Sequence, residues 1–180
     1  MIIGQETKRW RNNTCEAKNL KLINTETIRT SMNASLAFNT KKPKKSKFRQ
    51  FYKNASVALC KDSSDPTNSA LWSNQFCISY KEGSPVKSGE RFDIIRSLSS
   101  RLLQAQFDIL EPDVAIFTVG SARDKYIKES FKCEESNVIE PRRLWHFRIA
   151  NTHCFRTNHP RSPFSPRYLK DAIDIAQIFT

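Results

Sequence analysis

Two short segments carry the side chains best suited to chemistry. Gly4-Gln5-Glu6-Thr7 follows directly on the apolar Met1-Ile2-Ile3, and Asn158-His159-Pro160-Arg161-Ser162-Pro163-Phe164-Ser165 follows an apolar run near the other end. A carboxylate can position a water molecule and offset a developing cation. A neutral histidine, or a pair of backbone N–H groups, can stabilise a departing anion. Glu6 and His159 therefore stand out, with a solvated loop carboxylate and a helix-capping or structural histidine as the plain alternatives. His146 and His153 fall within or between apolar stretches and read as packing residues. The five cysteines, Cys15, Cys60, Cys77, Cys133 and Cys154, are widely spaced with no C-x-x-C pair. That spacing argues against a disulfide framework, a zinc knuckle or an iron–sulfur cluster, so no metal or other cofactor is expected.

The elements that must position these residues follow from periodicity. Met1-Ile2-Ile3 reads as a very short strand ending at Gly4. A polar, basic excursion occupies residues 8 to about 47 and contains Lys41-Lys42-Pro43-Lys44-Lys45-Ser46-Lys47. Phe48, Phe51, Tyr52, Ala55 and Leu59 then recur at helical spacing. Ala70 to Tyr80 reads as an aromatic-rich strand, and Lys81 to Glu90 as a loop. Glu90 to Leu110 is the clearest helix, with Phe92, Ile95, Leu98, Leu102, Ala105 and Ile109 on one face and Pro112 as its stop. Asp113 to Val119, between Pro112 and Gly120, has the continuous apolar character of a strand buried on both faces. Ala122 to Phe131 reads as a short helix, Leu144 to Ile149 and Thr152 to Thr157 as strands. Ser165 is the expected N-cap of a last helix with Pro166 at its first position. Tyr168, Leu169, Ala172, Ile173 and Ala176 form its apolar face.

Strands alternating with helices predict one α/β domain over residues 1–180. The expected form is a three-layer α/β/α arrangement around a central, mostly parallel sheet of about four strands. In such sheets ligands sit at the carboxyl ends of the strands. Gly4, Gly120 and the loop after Thr157 all fall at such ends.

A formal net charge of +12 makes a polyanion such as nucleic acid, or an anionic membrane face, a plausible partner. No apolar run approaches bilayer length and the first residues lack a signal-peptide pattern, so a soluble, cytoplasmic protein is expected.

The two motifs together resemble the signatures of the uracil-DNA glycosylase superfamily. The first is a strand followed by a Gly-Gln-acid loop; the second is His-Pro-Ser-Pro-Leu-Ser, here with Arg161 inserted and Phe164 in place of the leucine. Ile116-Phe117-Thr118-Val119-Gly120-Ser121-Ala122 is similar to that family's buried strand ending in a phosphate-contacting Gly-Ser turn. Trp72-Ser73-Asn74-Gln75-Phe76 lies where the family carries a base-reading asparagine.

The resemblance implies a monofunctional DNA glycosylase that flips a base out of DNA and hydrolyses its N-glycosidic bond. It implies that Glu6 activates water, that His159 stabilises the departing base, and that Gln5 and Asn74 contact the base. Gly120, Ser121, Arg156, Arg161 and Ser162 would contact phosphates, Phe164 would enter the gap left by the flipped base, and Lys41, Lys42, Lys44 and Lys45 would track the backbone. The alternatives are an asparagine satisfying neighbouring backbone, arginines paired with acids, a hydrophobic staple at Phe164 and a solvated lysine tether. DNA is the implied partner, without membrane or metal, and the chain is expected to be a prokaryotic monomer.

One departure bears on substrate. Uracil-specific members continue the first motif with a tyrosine that blocks substituents at carbon five of the pyrimidine. Lys8 takes that position here, followed by Arg9 and Trp10. The family's stacking phenylalanine has no clear counterpart, with Trp10 and Phe38 as candidates. An open, donor-rich pocket would suit a 5-substituted, even glycosylated, cytosine of phage DNA, with uracil or another deaminated base of equal standing. The first would imply a role in antiviral defence. The rival readings are a DNA-binding protein that keeps the fold without the chemistry, and a basic RNA-binding module, for which the usual aromatic signatures are missing.

Overall fold

Ile2 and Ile3 point to opposite faces of a sheet and are both fully buried, so the strand that carries them lies in the middle of the core. In the computed structural model, residues 1–6, 25, 26, 29, 46–78, 84–163 and 165–180 are described. The strands are β1 (Ile2–Glu6), β2 (Trp72–Phe76), β3 (Val114–Phe117), β4 (Glu134–Glu140), β5 (Leu144–Ile149) and β6 (Thr152–Arg156). They form one six-stranded sheet in the order β2-β1-β3-β6-β5-β4. β1 lies parallel to β2 and β3, and β3 parallel to β6, whereas β5 runs antiparallel to both β6 and β4.

The sheet is therefore larger than the four or so strands expected. Ile149 pairs with Thr152, so only Ala150 and Asn151 join β5 to β6, and a connection that short allows only an antiparallel hairpin. Ala150 takes the left-handed conformation, φ 50°, that such a turn demands. β4 is the strand with no counterpart in the sequence reading. All seven of its residues are exposed, so it buries no apolar face and carries no alternation to betray it.

The helices are α1 (Lys47–Leu59), α2 (Arg91–Leu110), α3 (Asp124–Ser130) and α4 (Ser165–Ala176). Leu103 and Phe107 of α2 and Ile127 of α3 pack with Ile3, Ala115, Phe117 and Phe147. Phe51, Tyr52 and Ala55 of α1 and Leu169, Ala172 and Ala176 of α4 pack with Ile2, Ile116 and Phe155. Helix residues thus enter two apolar clusters, one holding Ile3 and the other Ile2.

Two local expectations change. α2 buries Ile95, Ser99, Leu103 and Phe107, while Leu98, Leu102 and Ile109, expected inside, are 46, 47 and 77 % exposed. The helix has apolar residues on two overlapping stripes, and the one that faces the sheet includes Ser99, whose hydroxyl accepts from the Cys77 N–H at 3.1 Å. Ser165 is the first residue of α4 rather than the residue before it, and its hydroxyl donates to the Pro160 carbonyl at 3.1 Å. No described helix is long and apolar enough to cross a membrane.

Candidate functional site

Parallel pairing of β2, β1, β3 and β6 brings their carboxyl ends to one edge of the sheet. Gly4 is the register partner of Asn74. A Cβ on Gly4 would sit 2.7 Å from Asn74 Oδ1 and 3.2 Å from the Phe48 ring, so glycine is what lets the amide and the ring close over the strand. Phe48, in the first turn of α1, is tilted against Trp72 at 4.9 Å between ring centres. Gln5 donates through Nε2 to the Val119 carbonyl at 2.8 Å, tying the end of β1 to the end of β3.

Glu6 is held rather than solvated. Its Oε2 accepts from Arg123 Nη2 at 2.5 Å and from Ser84 Oγ at 3.2 Å, and the Glu6 and Arg123 side chains are 13 and 12 % exposed. Arg123 sits in the 3-10 turn Ser121–Arg123 that follows Gly120, where φ is 76° and glycine is favoured. Its guanidinium lies over the Phe76 ring at 5.1 Å, its carbonyl accepts from Gln75 Nε2 at 3.3 Å, and its Nη1 is buried without a hydrogen-bond partner. The Gly120 N–H donates to the Thr157 carbonyl at 3.0 Å, which fastens this turn to the start of the last motif.

In that motif Asn158 is 7 % exposed. Its amide, oriented to satisfy both ends, donates to the Arg142 carbonyl at 3.3 Å and accepts from Arg143 Nη1 at 3.2 Å. His159 is half-buried, and its Nδ1 accepts from the Arg161 N–H at 3.1 Å. A neutral ring in that arrangement carries its proton on Nε2. The Ser162 N–H donates to the His159 carbonyl at 2.8 Å, closing a tight turn. Arg161 is exposed and Ser162 half-exposed.

Gln5, Glu6, Asn74, Gly120, Ser121 and His159 are thus brought to a single sheet edge. Arg156 differs from the phosphate-holding role expected of it. It is 3 % exposed, with Nε 2.7 Å from Asp124 Oδ1 and Nη2 3.0 Å from Oδ2, so its charge is spent inside the protein. Burial pushes the Asp124 carboxyl up, and the Arg156 charge opposes that rise. Lys8, Trp10, Phe164, Lys41, Lys42, Lys44 and Lys45, with Arg9 and Phe38, lie outside the described residues. Arg123, Ser84 and Phe48 were not singled out from the sequence. Phe48 was concealed in the apolar periodicity of a helix, and Arg123 in what read as a short helix.

His146 and His153 pack as a stacked pair, Nε2 to Nδ1 at 3.2 Å, beneath Phe179. No group of three or more His, Cys, Asp or Glu side chains that could hold a metal ion occurs among the described residues. What the edge offers is a fixed carboxylate, a half-exposed asparagine beside an aromatic ring, and a histidine of defined tautomer in its neutral form. Comparison with protein-family models, with curated proteins and with solved structures finds no match for this chain.

Proposed function

We propose that this chain is a DNA glycosylase similar to the uracil-DNA glycosylase superfamily, acting on a non-standard pyrimidine and leaving an abasic site. The observation that carries the reading is the convergence of the Glu6 and His159 segments, far apart in sequence, on one carboxyl-terminal edge of a parallel sheet. The two apolar clusters on opposite faces support reading that sheet as the middle layer of an α/β/α sandwich.

In this mechanism the flipped base stacks on Phe48, which lies against Gly4, and its edge hydrogen-bonds to Asn74. Ser84 and Arg123 hold Oε2 of Glu6, so Oε1 takes a hydrogen bond from the attacking water. As the glycosidic bond lengthens, the Glu6 charge offsets the sugar cation and the Nε2–H of His159 donates to the anionic base. Water adds to the sugar carbon as the C–N bond breaks, whose electron pair leaves with the base. The proton lost by the water passes to Glu6 Oε1 and on to solvent, and the released base takes up a proton. Lys8, Arg9 and Trp10 in place of a tyrosine gate favour a 5-substituted cytosine as substrate.

The test is incubation with duplexes that differ only at one base, uracil or a hydroxymethylated or glycosylated cytosine, followed by abasic-site counting and mass spectrometry of released bases. Release of a 5-substituted cytosine at least as fast as uracil is expected. No release from any of them would sink the enzymatic reading. The Glu6–Arg123 ion pair favours one second reading, a DNA-binding protein that keeps the fold with its carboxylate neutralised. That reading predicts binding without abasic sites.

A further inference from the structure

The hairpin β4–β5, which enlarges the sheet beyond its parallel strands, ends in the turn Glu140-Pro141-Arg142-Arg143. The Arg143 N–H donates to the Glu140 carbonyl at 3.0 Å, closing a four-residue turn with proline second. Arg142, third, has φ 59°. That position in such a turn ordinarily favours glycine, and here it presents an exposed arginine. β4 is exposed throughout, so the core takes its side chains from β5 and gains little from β4 or the turn.

The turn is nevertheless fastened to the functional edge. Asn158, the residue before His159, bonds both the Arg142 carbonyl and the Arg143 guanidinium from a buried position. Arg161, on the other side of His159, is exposed too. Among the described residues the ion pairs of Arg and Lys side chains with carboxylates involve neither Arg142 nor Arg161. The loop that carries His159 therefore holds the exposed Arg161 and is tied through Asn158 to the turn that presents the exposed Arg142.

We infer that the Glu140–Arg143 turn is a phosphate-binding arm, in which Arg142, together with Arg161, grips the sugar–phosphate backbone of the nucleic-acid strand whose base enters the site. This rests on the nucleic-acid part of the proposed function. Guanidinium forks match phosphate oxygens in pairs, so a strand crossing the His159 loop would meet two such forks.

The experiment measures binding of a short random-sequence duplex, and of one of its strands, across a range of salt. It compares the wild type with Arg142→Gly and Arg142→Lys, thermal unfolding confirming that each variant folds. Glycine suits the backbone of the turn and removes only the side chain. Arg142→Gly should make the log–log salt slope shallower by about 0.9 for duplex or about 0.7 for single strand, the loss of one phosphate contact. Arg142→Lys should keep the slope. An unchanged slope in a folded Arg142→Gly protein overturns the inference. So does competition by free nucleoside monophosphate as effective, per phosphate, as the strand, since the site would then bind nucleotides. Base release by the wild type is scored separately. A wild type that releases no base while Arg142→Gly lowers the slope removes the glycosylase reading and leaves the arm in place.

Discussion

Arg123 reaches Glu6 from a turn 117 residues further along the chain, and the pair closes at 2.5 Å in a mostly buried setting. Desolvating both charges costs about as much as their attraction returns, so such a pair contributes position more than net stability. Here it fixes Oε2, with Ser84 as a second tie, and sets the direction of the other oxygen. Loss of either partner strands the other charge.

Arg123→Gln should therefore destabilise the protein on the order of 3 kcal/mol. Glu6→Gln should also destabilise it, and the double variant should lose less than the sum of the two. Urea denaturation of the three variants provides the cycle. Strict additivity would mean that the two side chains do not interact in solution.

Glu6→Gln and His159→Ala should each slow base release by orders of magnitude while DNA affinity changes little, because both groups act on the transition state. Single-turnover release beside equilibrium binding separates the two effects. Undiminished release by both variants would move the active site elsewhere.

Gly4→Ala places a methyl group against the Asn74 amide and the Phe48 ring. Crowding there should cost about 1–3 kcal/mol and weaken base binding. Asn74→Ala in the same chain should recover part of the stability, because it removes the nearer contact. A melting temperature that Gly4→Ala leaves untouched would argue against the close approach.

Burial, then the neighbouring His153, holds the His146 imidazole below its ordinary value of 6.5. As pH falls through that value the unfolded chain takes up the proton first, so this contribution to stability is intact above it and declines below, until the folded-state pKa is reached. His146→Phe keeps a flat ring against Phe155 and removes the titration. Its stability should fall less steeply than the wild type's between about pH 7 and pH 5. Parallel pH profiles would show that His146 titrates normally in the folded protein.

Parts of this arrangement were legible in the residues. Val114 to Phe117 had to be an inner strand, because a short continuous apolar run bounded by Pro112 and Gly120 has no solvent-facing side. The apolar spacing of Phe51, Tyr52 and Ala55 marked α1 and its buried face in the same way. β4 was illegible because an edge strand with every residue exposed carries no hydrophobic signal. The inner face of α2 was misread because two apolar stripes compete along it, and a helix's own sequence does not say which one the sheet meets.

The site divides along the same line. Local sequence determined that a strand opens the described chain and that Asn158-His159 follows another, since strand ends and tight turns are fixed by residues within a few positions of each other. The first strand nonetheless runs on through Glu6 instead of ending at Gly4. Tertiary structure alone decided which distant groups each would meet: Arg123 on Glu6, Phe48 over Gly4, the Arg142–Arg143 turn on Asn158, and Asp124 rather than a phosphate on Arg156. Those partners depend on strand order and register across the whole sheet. A charge or an aromatic ring in sequence gives no sign of what will be packed against it once the chain has closed.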